Sequence, residues 1–426
     1  MPQKEIEAPE PGVSSLPAAH SQRLLDGPPV SGGSESARDH LARLGAVSPG
    51  AVRDLIPILE ATGLQGRGGA GFPVGRKWRD IAERRSGAAV VVVNGAEGEP
   101  ASAKDRTLMA ARPHLVLDGA ELAAQAIGAS EIVVYVGSEH VAAVRAMHRA
   151  ITERRSLAGP TIRLIQAPVG YVAGEATAAV HFINDTDARP TNTPPRMSEA
   201  GVGGRPTLVQ NVESLAYAAL IARFGERWYG TLGRAGTAGT ALVTVGGVER
   251  ARVVEIEFGT PLGEVVSMSA AGGAIGAVVL GGYFGTWARA RDVWELPLDP
   301  GAMRPAGLSF GCGMIGLLPS TSCGVEATAR IMSFMASSSA GQCGPCVYGL
   351  RSIADAVTRV ARGHAEHSDL SDIERWTGLI AGRGACRHPE GAARLVASAL
   401  DTFGSDFAWH ARAGRCSVSM YREAVA

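Results

Sequence analysis

The chain has 426 residues, 46% of them hydrophobic, and its 41 basic residues balance 41 acidic ones. Zero net charge argues against nucleic-acid binding and against a basic membrane-surface protein, both of which need a cationic excess. No apolar run approaches the roughly 20 residues that span a bilayer, and the N-terminus has no charged region leading into an apolar one. A cytoplasmic protein without membrane insertion is expected.

Glycine takes 55 positions, roughly 13% against an average near 7%. Lysine occurs only at Lys4, Lys77 and Lys104, and asparagine only at Asn94, Asn184, Asn192 and Asn211. Six cysteines without an export signal point to a metal site or to core thiols rather than to disulfides.

Residues 1–38 are rich in Pro, Ser, Gly and Glu with no apolar period, so a disordered tail is expected there. Residues 39–230 alternate short apolar runs with amphipathic stretches. They predict a helix near 51–62, a buried strand at 88–93, helices over 115–127 and 139–154, and strands at 131–136 and 161–166. Such alternation reads as a layered α/β domain. Residues 231–300 carry short β-like runs punctuated by glycine and predict a small β-rich domain. In 301–426 four segments (VEATARIMSFM, VYGLRSIADAVTRVARG, LSDIERWTGLIAG and EGAARLVASAL) space apolar residues by three and four, which predicts a small helix bundle.

Five segments carry candidate chemistry. Gly66-Arg67-Gly68-Gly69-Ala70-Gly71-Phe72-Pro73, followed by Lys77, contains a literal G-x-G-x-x-G. The dinucleotide fingerprint needs a strand before it, whereas AVRDLIPILEATGL has helical spacing, so a standard Rossmann turn is not expected. The run suits either close backbone approach to a phosphate or ring, with Lys77 as a point charge, or a mobile surface loop. Asn94-Gly95-Ala96-Glu97-Gly98-Glu99-Pro100 follows the strand at 88–93, where ligands of open α/β sheets bind; the alternative is an acidic turn. Gly170-Tyr171-Val172-Ala173-Gly174-Glu175 follows another strand and opens a helix. Gln210-Asn211 offers amides that both donate to and accept from a heteroaromatic ring. Each of the last two segments could equally be a helix cap. Finally, Cys343-Gly344-Pro345-Cys346 with Cys386 suits iron–sulfur or zinc, or is a set of buried thiols. Cys312, Cys323 and Cys416 lack partner spacing and read as plain thiols.

In this order the five segments resemble the FMN-containing, NADH-oxidising subunit of respiratory complex I and the related diaphorase subunits of NAD-linked hydrogenases and formate dehydrogenases. GRGGAGFPVGRKW is similar to that family's glycine-rich loop and NGAEGEPASAKDRTLM to its acidic flavin segment. GYVAGEAT and TLVQNVES resemble its other flavin contacts, and GQCGPCVYGL with GACRHPEGA its cluster region. The resemblance implies an α/β FMN domain, a ubiquitin-like β domain and a C-terminal four-helix bundle holding one 4Fe–4S cluster. It implies FMN contacts at Gly66, Gly68, Lys77, Asn94, Tyr171, Gly174, Glu175, Gln210 and Asn211, drawn from a cofactor region that includes Arg67, Gly69 and Gly71. Glu97 and Glu99 would face flavin and nucleotide, and Phe72 would stack on a dinucleotide ring. Cys343, Cys346 and Cys386 would bind the cluster.

The chain departs from that pattern at Ala96, Ala176, Gln210 and, among aromatic nucleotide contacts, at Asp80 and Arg196. Ala340 stands where the family has its first cluster cysteine, which leaves a three-cysteine 4Fe–4S cluster with an outside ligand (His388, Ser339 or water), a 3Fe–4S centre, or none. The implied activity is hydride transfer from NADH or a related dinucleotide to FMN, then single electrons through the cluster to a ferredoxin-like protein or further subunit. The alternatives are a catalytically silent structural homologue and a zinc-stabilised variant with Cys343, Cys346, Cys386 and His388 as ligands.

Overall fold

A computed structural model describes residues 22–28, 33–84, 89–154, 159–247, 251–269, 272–416 and 418. The first part of the chain runs α1 (Ala37–Leu44), α2 (Leu55–Ala61), α3 (Val74–Ala82), β1 (Ala89–Gly95), α4 (Lys104–Ala111), α5 (Pro113–Ile127) and β2 (Ala129–Gly137). It continues through α6 (Val141–Arg154), β3 (Thr161–Ala167), α7 (Ala176–Asp185), β4 (Thr207–Asn211) and α8 (Val212–Tyr229). The strands form one parallel sheet in the order β3-β2-β1-β4. Val90–Val93 is apolar at every position because both faces of β1 are covered. Val91 and Val93 join a core with Leu108 of α4, Leu115 of α5 and Leu215 of α8, while Val90 and Val92 pack with Ala179 of α7.

A second sheet follows. β5 (Gly233–Arg234) and β6 (Thr237–Ala238) make a short ribbon. β7 (Thr240–Gly246), β8 (Arg252–Glu257), α9 (Leu262–Met268), β9 (Ile275–Leu280), β10 (Thr286–Arg289), α10 (Ala290–Val293), α11 (Pro300–Met303) and β11 (Met314–Pro319) complete the unit. The strand order is β10-β9-β11-β7-β8, with β11 parallel to β7 and antiparallel to β9. This central strand lies beyond the boundary expected at residue 300. Its sequence, MIGLLP, has no alternation to announce it, and only pairing with two distant strands makes it β.

Helices α12 (Gly324–Ser337), α13 (Leu350–Ala361), α14 (Asp369–Ile380) and α15 (His388–Ala413) close the chain. They share one apolar cluster that includes Met332, Ile353, Val357, Ile373, Val396 and Phe407, and the cluster continues onto Val279 and Trp287 of the second sheet.

The expected N-terminal tail is corrected at its far end, while residues 1–21 and 29–32 lie outside the described residues. Leu24 is fully buried. The N–H groups of Arg23, Leu24 and Leu25 donate to the buried Glu255 carboxylate at 3.0–3.1 Å. Arg112 donates to the carbonyls of Leu25 and Asp26 at 2.7 and 2.8 Å. Ser36 then caps α1. Composition could not show this, because the partners lie far away in sequence.

Candidate functional site

The carboxyl ends of β1 and β4 lie side by side, with Asn94 opposite Asn211 in the parallel register. Around them the glycine-rich loop, the acidic segment and the Tyr171–Glu175 turn converge. As the helical spacing predicts, α2 and not a strand precedes the loop. The loop closes on itself, with Gly66 N–H donating to the Phe72 carbonyl at 2.9 Å, and Arg67 N–H ties it to Ser214 at 2.9 Å. A Cβ on Gly68 would lie 3.3 Å from the Asn211 side chain, so a larger residue there would crowd Asn211. A Cβ on Gly98 would lie 2.4 Å from the Tyr171 carbonyl oxygen, and Asn94 donates to the Gly174 carbonyl at 2.9 Å. The loop also walls a cleft of about 220 Å³ lined by Gly66, Gly69, Gly71, Arg304, Phe310 and Gly311. Phe72 is 51% exposed beside it.

Several expected contacts turn inward. Arg67 is buried, with its guanidinium 4.4 Å above the Phe258 ring and 3.6 Å from Glu213. It anchors the loop to α8 and the second sheet, leaving the loop backbone to face the cleft. Glu97 takes a left-handed backbone, φ 45°, and its carboxylate accepts from Ser102 Oγ and from the N–H groups of Asp105 and Arg106 at 2.8–3.0 Å. It therefore caps α4. Glu175 caps α7 through Thr177 and Ala178 N–H, and Asn211 caps α8 through Glu213 N–H. Lys104 is buried between Asp105 (2.6 Å) and Glu213 (2.9 Å), so this rare lysine positions α4 against α8 beneath the site.

Three groups keep unspent polarity. Half-buried Lys77 donates to the Val209 carbonyl and has no carboxylate partner among the described residues; burial lowers its ammonium to about 8. Gln210 is buried and its side-chain oxygen has no partner among the described residues. Burial pushes the Glu99 carboxyl up to about 7, against donors that pull it down: Tyr283 N–H at 2.8 Å and Tyr171 Oη at 3.0 Å. The sequence did not mark Tyr283, which joins the site from the loop between β9 and β10. Asp80 and Arg196 sit in a polar surface group: Asp80 pairs with Arg84 at 3.3 Å, and Arg84 reaches Glu199 at 3.7 Å.

The Tyr171 ring carries the site across to the C-terminal helices, packing on Phe284 (5.0 Å), His388 (5.5 Å) and Phe334 (6.0 Å). Cys386 stands two residues before His388 and lies within electrostatic reach of both Glu175 and Cys343. Burial works against all three thiolates: it pushes the Cys346 thiol up to about 12 and raises Cys386, whereas the nearby backbone N–H groups of Ala385 and Cys346 hold Cys343 below its ordinary value. His388 Nε2 bonds the Met335 carbonyl at 2.8 Å.

Residues 59–219 match the family model of the Nuo51 FMN-binding domain, and residues 326–410 that of the NADH-ubiquinone oxidoreductase-F iron-sulfur binding region. An NADH-quinone oxidoreductase-F subunit of Rhizobium meliloti is 30% identical over 379 residues, covering 85% of this chain and 90% of that protein. Its counterpart in Mycobacterium bovis is 32% identical over 387 residues, 85% and 86% of the two chains. A solved NAD+-reducing NiFe hydrogenase in the air-oxidized state superposes with a TM-score of 0.80 at 27% identity, covering 93% of this chain and 68% of that one.

Fold and site together define a subunit of an NADH dehydrogenase-type oxidoreductase, with FMN, NADH and an iron–sulfur cluster as its cofactors. The chain belongs to the family of NADH-quinone oxidoreductase-F subunits. The residues present fit FMN on their own terms: an orphaned amide oxygen, an ammonium without a counter-charge and a glycine-walled cleft are what a uracil-like ring edge and a phosphate would satisfy. Three cysteines, two of them three residues apart, likewise suit an iron–sulfur cluster in their ligand chemistry. Among the described residues no helix is long and apolar enough to cross a membrane.

Proposed function

We propose that this chain accepts hydride from NADH and delivers single electrons to a ferredoxin-like protein or a further subunit, as a cytoplasmic flavoprotein. When bound, FMN supplies the conversion of a two-electron donor into one-electron steps. Gly68, Gly69 and Gly71 present backbone N–H groups to it in a loop closed by Gly66, Lys77 neutralises its phosphate, and Gln210 and Asn94 orient its ring. Tyr171, Gly174 and Glu175 close the side facing the thiols. Glu99, held by Tyr171 and Tyr283, sets the charge beside the ring, and Phe72 stacks on the dinucleotide. Cys343, Cys346 and Cys386 hold the iron, with Ala340 leaving one iron to a non-cysteine ligand or absent. We assign 39–230 as the FMN domain, the following sheet as a ubiquitin-like domain and α12–α15 as a four-helix bundle.

The observation that carries this reading is the single bridge Tyr171–Glu175, which touches the acidic segment on one side and stands beside Cys386 on the other. It supports an electron path, which a silent homologue would have no need to keep. Cys346→Ser tests the assignment. It should lose most of its iron and its NADH-driven reduction of a ferredoxin-type acceptor, while NADH still reduces the flavin. Unchanged iron content would refute the ligand assignment.

A further inference from the structure

A second group of metal-type ligands lies at the other end of the helical region. Cys323, His410 and Cys416 are all buried, and one ligand atom from each lies within 4.8 Å of the others. Cys323 is the N-cap residue of α12, His410 is in the last turn of α15, and Cys416 follows that helix. α12 spans 14 residues, about 21 Å, and Cys343 lies beyond its far end, so this trio is separate from the cluster cysteines.

The geometry is that of a single tetrahedral ion. Cys323 Sγ and His410 Nε2 are 3.3 Å apart. Bonds of about 2.3 Å to sulfur and about 2.0 Å to nitrogen at a tetrahedral angle put such atoms about 3.5 Å apart. Cys323 and Cys416 sit in the apolar cluster of the helices, where a histidine is out of place as a packing residue. His410 is fully buried, and among the described residues its Nδ1 has no partner and its Nε2 bonds the Cys323 thiol. An imidazole removed from water for one weak thiol contact is costly.

We propose that Cys323, His410 and Cys416 bind one zinc ion. Binding releases the two thiol protons to solvent, so Zn²⁺ with two thiolates and a neutral imidazole carries no net charge, which suits a buried position. Two soft sulfurs and an imidazole select zinc over magnesium or calcium, whose ligands are oxygens. Water fills the fourth position. The ion fastens the segment after α15 to the start of α12 and closes the open end of the helical region. The proposal stands independently of the flavin reading.

Metal analysis of the full chain, purified anaerobically from zinc-supplemented cells, tests it. About one zinc per chain is expected in addition to iron. His410→Ala and Cys416→Ser should lower zinc at least about fivefold while leaving iron and flavin unchanged, and Cys346→Ser should do the reverse. Should these variants fail to fold, exchange of cobalt into the parent protein probes the same ligands, through thiolate-to-cobalt charge-transfer and tetrahedral d–d bands. Zinc below about 0.2 per chain after incubation with the ion, zinc that persists in both variants, a Cys323–Cys416 disulfide in the purified protein, or absent cobalt bands would overturn it.

Discussion

At the level of single residues, the cofactor site is defined by which polar atoms are already satisfied. Lys77 is not, and with its ammonium lowered to about 8 by burial it is charged at neutral pH and loses its proton as the pH rises further. Lys77→Ala should therefore weaken FMN binding about 10- to 100-fold, as expected for losing one charge-assisted contact. In the parent protein affinity should fall as the pH is raised above about 8. Flavin fluorescence titration of the apoprotein measures both, and an unchanged dissociation constant would remove Lys77 from the site.

Glu99 gives the opposite kind of test. Its folded pKa of about 7 lies above its ordinary 4.5, so between these values the folded chain binds the extra proton. Its stability contribution therefore declines as pH rises through that window. Glu99→Gln should flatten this dependence, matching the parent near pH 4.5 and exceeding it by about 1 to 3 kcal/mol at pH 8. Thermal unfolding across the window measures the difference, and parallel curves would contradict it. The rarity of Lys77, Asn94 and Asn211 in the sequence pointed to this site, whereas the inward turn of Arg67 and Glu97 could not be read, because their partners are backbone groups and residues far along the chain.

At the level of elements, most of the segments with clear period were legible. The strand expected at 88–93 is β1 at Ala89–Gly95, and the helix expected over 139–154 is α6 at Val141–Arg154. β11 was not legible, since a six-residue apolar run becomes a central strand only through pairing with β7 and β9. Cys323 is separated from His410 and Cys416 by almost the whole run from α12 to α15, so the trio carried no spacing signal. Two predictions belong here. Glu97→Ala removes the cap of α4 and should cost about 1 kcal/mol, read as a lower melting temperature; no loss would mean the cap is redundant. Ala340→Cys restores a fourth thiolate to the loop before α13 and should raise iron to about four per chain, with sulfide in step. Iron unchanged by this substitution would show that the parent already holds a complete cluster through a non-cysteine ligand.

At the level of the whole molecule, four apolar cores are joined by polar staples that no local reading of sequence reveals. Arg23–Leu25 hang on Glu255 of the second sheet, Arg67 ties the glycine-rich loop to α8 and to Phe258, and Tyr171 spans from Glu99 to His388. The last of these places the acidic segment against the C-terminal helical region that carries the cysteines. The most direct test is anaerobic addition of NADH to the purified chain, followed by visible and electron paramagnetic resonance spectra. The account predicts bleaching of the flavin band together with a change in the iron–sulfur signal, the latter abolished in Cys346→Ser while flavin bleaching persists. A chain that holds FMN and iron but whose spectra do not respond to NADH would contradict it.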